Sequence, residues 1–358
     1  MTFMKPILNL IWRSLIFVVW TISLCFLPPK VFANNTVVLL YHKFGDNRTP
    51  STNVSLDAFK AQMLYLKTHH YQVIPLKRLI MTLEKKQVLP PKAVVITIDD
   101  GYKSVYINAF PILKEFGYPF TVFLPTEAIE KHFPDYLSWK EVKQMQKAGV
   151  DFQDHSYAHH RLGFVPEGMT ESVYRNWIRK DLKKSRFIFK SRLGYEPDYL
   201  AFPYGYYNKI LIEEALKLGY KALLTQDPGV VSEDTSLSLI PREPILGKEW
   251  ATMKHFIQIL HRVDLPLFQH KPEIGFLKQN PPPEISGILK YPQRYLPGSF
   301  GIYVSEWGWQ KAQFDQKTGK VFIRNLPVLK RKVNRIAITG IERRSGKPAV
   351  NFWMVILP

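Results

Sequence analysis

Residues 93–102 read "AVVITIDDGY". An unbroken run of small and β-branched residues is the pattern of a strand buried on both faces, as in a parallel sheet covered by helices. Asp99 and Asp100 then stand at its carboxyl end, where two adjacent carboxylates repel each other and resist desolvation. Successive side chains of a strand point to opposite sides, so a divalent cation held by one carboxylate would remove the repulsion and leave the other free as a base. The plainer alternative is that the pair caps a helix beginning near Ser104.

Similar runs recur on both sides of this stretch, as "VVLLYH" (37–42), "PFTVFLP" (119–125), "VDFQDH" (150–155), "YLAFPYG" (199–205) and "YKALLT" (220–225). Between them lie amphipathic segments at 55–70, 105–117, 138–149, 170–192 and 209–219. Ser138 followed by Glu141 is a capping-box pattern, and Gly117, Gly149 and Gly219 stand where helices should end. Repeated βα units predict a parallel sheet or barrel, and catalytic groups in such folds gather at the carboxyl ends of the strands. A last strand and helix are expected within 240–264. The proline-rich stretch at 265–287 and the turn signals "YLPGSFG" and "DQKTGK" then predict short strands. The expected division is 34–265 for a catalytic domain and 266–358 for a linker and accessory β domain.

With 358 residues and 46% hydrophobic content the chain is long enough for a large core and does not have a disordered composition. Its net charge of +19 favours anionic surroundings, and 14 Lys plus Arg against 5 Asp plus Glu over 273–358 give that end about +9 of it. Lys5, Arg13, the apolar stretch Ile7 to Leu27 and "PPKVFA" make residues 1–33 a signal peptide or signal anchor, hence an exported protein. The sole cysteine, Cys25, falls inside that segment, so a metal in the mature protein must be held by His and carboxylates.

"DFQDHSYAHHRL" (151–162) supplies His155, His159 and His160 where another strand should end. Imidazoles with a carboxylate and an open position form the ligand set of catalytic Zn²⁺, or of Fe²⁺ and its neighbours. A third stretch, "LAFPYGYYN" (200–208), has a backbone fixed by Pro and Gly, so that a peptide N–H such as that of Tyr204 faces a developing oxyanion. No nucleophile elbow and no glycine-rich phosphate loop follows a strand, which sets serine-hydrolase and nucleotide chemistry aside. No nucleic-acid recognition motif accompanies the positive charge. Trp307 and Trp309 form either a sugar-stacking surface or part of a core.

Taken in order, Thr97-Ile98-Asp99-Asp100-Gly101, His155-Ser156-Tyr157-Ala158-His159 and Phe202-Pro203-Tyr204-Gly205 resemble the three motifs of the polysaccharide deacetylases of carbohydrate esterase family 4, the NodB-homology domain. The resemblance covers roughly residues 36–260. It implies a distorted (β/α)7 barrel and hydrolysis of acetamide groups. Carried over, it makes Asp99 the general base and Asp100, His155 and His159 the ligands of a divalent metal, Zn²⁺ before Fe²⁺, Ni²⁺ or Co²⁺. Members with a spacing one residue longer would select His160 in place of His159. Flanking segments such as 39–46, 51–76 and 203–229 resemble those of the exported deacetylases of biofilm poly-β-1,6-N-acetylglucosamine. That implies an N-acetylglucosamine polymer as substrate, with peptidoglycan as the alternative and a non-catalytic glycan binder as another. The basic β domain would contact anionic envelope polymers or a membrane surface. Two departures stand out. The arginine that usually opens the third motif is missing from Tyr199–Phe202, and no Leu-x-His supplies a general acid. His42 and, less well placed, His261 are the candidates for that acid. Both absences suggest slow chemistry or a narrow substrate range.

Overall fold

The computed structural model describes residues 34–357. The leader and Cys25 lie outside them. Seven parallel strands form an open barrel: β1 (Thr36–Tyr41), β2 (Ala93–Ile98), β3 (Thr121–Leu124), β4 (Asp151–Asp154), β5 (Tyr199–Ala201), β6 (Ala222–Leu224) and β7 (Glu243–Pro244). Their spatial order is β7-β1-β2-β3-β4-β5-β6, with the short strand Gln72–Val73 also paired to β2. Every residue of β1 and β2 is buried, which is why neither alternates polar with apolar residues.

Register places the chemistry. Tyr41 pairs with Ile98, so His42 and Asp99 leave neighbouring strand ends together. Leu124 pairs with Asp154, and Asp154 with Leu200, which brings the residues after β4 and β5 to the same rim. The connecting helices cover the barrel: α1 (Leu56–Thr68), α2 (Leu76–Glu84), α3 (Phe110–Phe116), α4 (Thr126–Glu130), α5 (Trp139–Lys147), α6 (Glu171–Leu193), α7 (Lys209–Lys217) and α8 (Met253–Leu260). The expected capping box at Ser138 and Glu141 is present, and Gly117 closes α3 in a left-handed conformation.

Asp99 and Asp100 do not cap a helix. The segment after them enters a π-helical turn, Val105–Ala109, whose N-terminus carries no side-chain cap, and Ser104 Oγ instead accepts the Phe44 N–H. The cap alternative therefore fails, and the carboxylates are left for the rim.

Beyond α8 all regular strands form β-sheets, apart from two short 3₁₀ turns. Val263–Asp264, Gly275–Phe276, Gly301–Val304, Gly308–Lys311, β8 (Val333–Ile341) and β9 (Pro348–Ile356) make a six-stranded sheet. Leu267–Lys271, Glu284–Leu289, Gln313–Asp315 and Lys320–Arg324 make a four-stranded one. A core including Ile285, Tyr295, Ile302, Ile338 and Trp353 is buried among these strands. Met354 and Ile356 of β9 instead join the cluster of Leu162, Tyr174, Phe202 and Leu223, so the last strand packs on the barrel beneath the histidine loop. Trp307 packs on the C-terminal core, whereas Trp309 is exposed with its ring 4.9 Å from that of Tyr303. Among the described residues no helix is long and apolar enough to cross a membrane.

Candidate active site

Asp99 follows β2 directly, and its N–H donates to Tyr41 C=O at 2.9 Å. Its side chain is wholly buried, which would by itself raise the carboxyl pKa. Arg242 outweighs burial and, with His155 and His42, holds it below the usual range. The contact is bidentate: Nη1 to Oδ1 and Nη2 to Oδ2, both 2.7 Å. Arg242 is itself fixed by Nε donating to Thr225 C=O at 2.7 Å.

Asp100 turns the other way. It has φ 69, and Gly101 after it φ 61. A Cβ at Gly101 would also sit 2.5 Å from Leu124 Cδ2, so this turn requires glycine. Asp100 Oδ1 lies 3.4 Å from His155 Nε2 and 3.1 Å from His159 Nε2. Burial opposes ionisation here too, but the two imidazoles keep the Asp100 carboxyl well below its ordinary pKa. Four of the ten non-glycine residues with positive φ among the described residues, Asp100, Ser156, His159 and Tyr204, belong to this rim. Such strain persists only where surrounding structure enforces it.

The histidine loop shows how. His155 N–H donates to Leu124 C=O at 3.0 Å, and its Nδ1 lies 2.8 Å from Ala201 C=O. Asp181, from α6, accepts the N–H groups of Tyr157 and Ala158 at 2.9 and 3.2 Å, and Ser156 Oγ accepts that of His159 at 3.0 Å. His159 thereby faces Asp100, while the His160 ring lies 5.5 Å from that of Trp177, away from the carboxylate.

These residues suit a divalent cation. With Nδ1–H donating to Ala201, the His155 Nε2 lone pair points at Asp100, and this buried atom has no hydrogen-bond partner among the described residues. One ligand atom each from Asp100, His155 and His159 lies within 4.8 Å of the others. Tetrahedral ligands on bonds near 2 Å stand about 3.3 Å apart, close to the two separations from Asp100. The carboxylates outweigh burial and raise the His155 pKa, so the field between these groups favours any positive charge.

His42 is buried at the same rim. Burial lowers its pKa despite the nearby Asp100 and Asp99, and its Nδ1 has no hydrogen-bond partner among the described residues. Tyr204 occupies the Pro203–Gly205 turn at φ 59 with its side chain exposed, its ring 4.6 Å from that of His159. His261 is elsewhere: it ends α8, and its Nδ1 lies 2.9 Å from Ile257 C=O.

Sequence reasoning missed Arg242 and Asp181. The arginine absent from the third motif is replaced from the residue just before β7, 143 residues from its partner, and the only local sign was the charged pair Arg242-Glu243 in "SLIPREPILG". Asp181 is the one acidic residue past the first turn of a largely basic helix, with nothing local to mark it.

A parallel barrel whose strand ends gather an arginine-held carboxylate and an Asp-His-His cluster defines a hydrolase class. Residues 86–223 match the family described as polysaccharide deacetylase. Over those residues the chain carries a polysaccharide deacetylase domain, similar to the NodB-homology domains of carbohydrate esterase family 4. It is 29% identical over 215 residues to the poly-β-1,6-N-acetyl-D-glucosamine N-deacetylase of Staphylococcus aureus, covering 59% of this chain and 73% of that one. The Escherichia coli protein of the same name is 26% identical over 263 residues, 63% of this chain but only 38% of that one. Among solved structures, the Streptococcus pyogenes deacetylase PplD superposes with a TM-score of 0.57 at 24% identity, covering 64% of this chain and 99% of that one. IcaB from Ammonifex degensii gives 0.55 at 24% identity, covering 64% and 97%.

Proposed function

We propose that this chain is an exported, metal-dependent N-deacetylase of an N-acetylglucosamine polymer, poly-β-1,6-N-acetylglucosamine, and releases acetate. The observation that carries this reading is the convergence of Asp99 with Arg242 and of Asp100 with His155 and His159 at one rim. Asp100, His155 and His159 would hold the ion, Zn²⁺ by ligand chemistry, and the bound ion supplies Lewis acidity toward the acetamide oxygen and toward water.

The remaining work falls to side chains and one peptide. Asp99 accepts a proton from the attacking water; both its oxygens bond Arg242, yet each keeps a further lone pair. The water oxygen bonds to the acetyl carbon, and the developing oxyanion takes the Tyr204 N–H. The C–N bond then breaks and the nitrogen takes a proton, with neutral His42 at the rim as its relay, leaving acetate and a glucosamine amine. Arg242 orients the base, so the missing third-motif arginine no longer argues for a non-catalytic binder.

In this reading residues 1–33 are a signal or anchor, 34–265 the catalytic domain and 266–358 the linker and accessory β domain, whose positive charge suits anionic envelope polymers or headgroups. Acetate release from β-1,6- and β-1,4-linked acetylated oligosaccharides, with and without chelator, tests it. Chelator-sensitive release from the β-1,6 series is expected. Preference for the β-1,4 series would move the substrate to peptidoglycan, and no release from either would leave a glycan binder.

A further inference from the structure

Arg335 belongs to β8 of the C-terminal sheet, yet its guanidinium is spent on the barrel. Nε donates to Oδ1 of buried Asp227 at 2.9 Å, and Nη2 to the carbonyl oxygen of Tyr204 at 3.4 Å. Both partners frame the rim described above.

Tyr204 and Gly205 are consecutive left-handed residues, at φ 59 and φ 65. Within the turn, Gly205 N–H donates to Phe202 C=O at 2.8 Å and Tyr206 N–H to Pro203 C=O at 3.1 Å. The left-handed region is unfavourable for an ordinary residue, so a hold from outside helps this geometry persist. Rotation about ψ of Tyr204 swings its carbonyl, and an arginine on that oxygen stops the swing. The packing is close: a Cβ on Gly205 would lie 2.9 Å from Arg335 Nη2.

Asp227 leads to the other half of the rim. Its Oδ2 accepts the Tyr207 hydroxyl at 2.5 Å, and its backbone carbonyl accepts the N–H of Arg242 at 3.1 Å. Arg242 in turn grips Asp99. A single cation from the C-terminal sheet thus touches the turn that presents the Tyr204 N–H and the segment that carries the arginine orienting the base.

Its mount is stiff. Arg335 N–H donates to Ser305 Oγ at 3.1 Å and its C=O accepts the Ser305 N–H at 2.9 Å. Its cross-strand neighbour is Met354, which is buried in one cluster with Phe202.

We propose that Arg335 is a positioning residue for the hydrolytic centre: by holding the Tyr204 carbonyl and Asp227 at once it fixes the Tyr204–Gly205 peptide, and with it the turn that presents the Tyr204 N–H, which makes the C-terminal sheet part of the catalytic assembly. Its activity readout rests on the deacetylase reading; its structural readout does not. The test is made on the full chain with Arg335→Lys and Arg335→Ala. Lysine keeps a charge beside Asp227, but its single ammonium lacks the two-armed reach to Tyr204. Expected are unchanged divalent-metal content, KM within about twofold, and kcat down about 10-fold for Lys and about 100-fold for Ala. In crystal structures of the two variants, the Tyr204–Gly205 turn should leave the geometry it keeps in the parent chain.

Parent-like kcat in both variants overturns the proposal. So does a kcat loss that only follows a fall in Tm or metal content, since that is a packing effect. Should Arg335→Ala fail to fold, Arg335→Lys decides alone. If the parent chain releases no acetate, the deacetylase reading fails, and the turn geometry still decides: an unmoved Tyr204 in the variants refutes positioning, a displaced one supports it.

Discussion

The terminal nitrogens of Arg242 meet both carboxylate oxygens of Asp99 at 2.7 Å, in a contact from which water is wholly excluded. A buried carboxylate is tolerable only with such a partner, and the pairing also fixes the plane in which Asp99 presents its free lone pairs. Because Arg242 keeps the Asp99 pKa low, this proposed base is ionised throughout the neutral range.

Removing the arginine should therefore change both stability and pH response. Asp99 has a folded pKa below its unfolded value of about 3.9, so its stabilising contribution is present above that value and lost as pH falls through the folded one. Arg242→Met leaves an unpaired buried charge and is expected to cost about 3–5 kcal/mol at neutral pH. Burial then dominates, and the acid limb of kcat/KM moves to higher pH. Urea midpoints and a pH–rate profile check this; a parent-like acid limb in the variant would remove Asp99 as the base.

Asp181 pins the histidine loop through the Tyr157 and Ala158 N–H groups. Asp181→Ala frees those donors while leaving the proposed ligands in place. Affinity for a divalent ion should fall about 10- to 100-fold, as for other groups that orient ligands. Titration calorimetry with Zn²⁺ on the full chain measures it, and parent-like affinity would confine Asp181 to a packing role.

Asp154 sits beneath the loop, accepting from the Ser185 and Tyr220 hydroxyls. Burial outweighs these donors and pushes its carboxyl up to about 7. Here the folded state binds the proton more tightly than the unfolded one. Stability attributable to this group therefore falls as pH rises from about 4 to 7, by at most about 1.4 kcal/mol per unit. Asp154→Asn should flatten that part of the urea-midpoint curve; the same slope in both proteins would contradict the shifted titration.

Local pattern carried most of the barrel. Runs such as "AVVITI" and "TVFL" are buried strands because no charge interrupts them and their threonine hydroxyls are hydrogen-bonded, and Ser138 with Glu141 marked a helix start on its own. Helix α2 was not anticipated, since it follows Pro75 without a side-chain cap. At the candidate site, the motif stretches held Asp99, Asp100, His155 and His159, which the fold brings to one rim; the φ 53 conformation of His159 and the Ser156 bond turn His159, and not His160, toward Asp100. Arg242, Asp181 and Arg335 escaped notice because each acts on a partner from a distant part of the chain. Their identity as working groups is a property of the folded register and has no local signal.

The most direct test pairs metal content with acetate release in Asp99→Asn and His155→Ala. Asp99→Asn removes the proposed base but none of the proposed ligands, whereas His155→Ala removes an imidazole aimed at Asp100. The expected result is that Asp99→Asn keeps a stoichiometric divalent ion and loses release by about 10³-fold or more, while His155→Ala loses both. Undiminished acetate release in both variants would contradict the assignment of this rim as the hydrolytic centre.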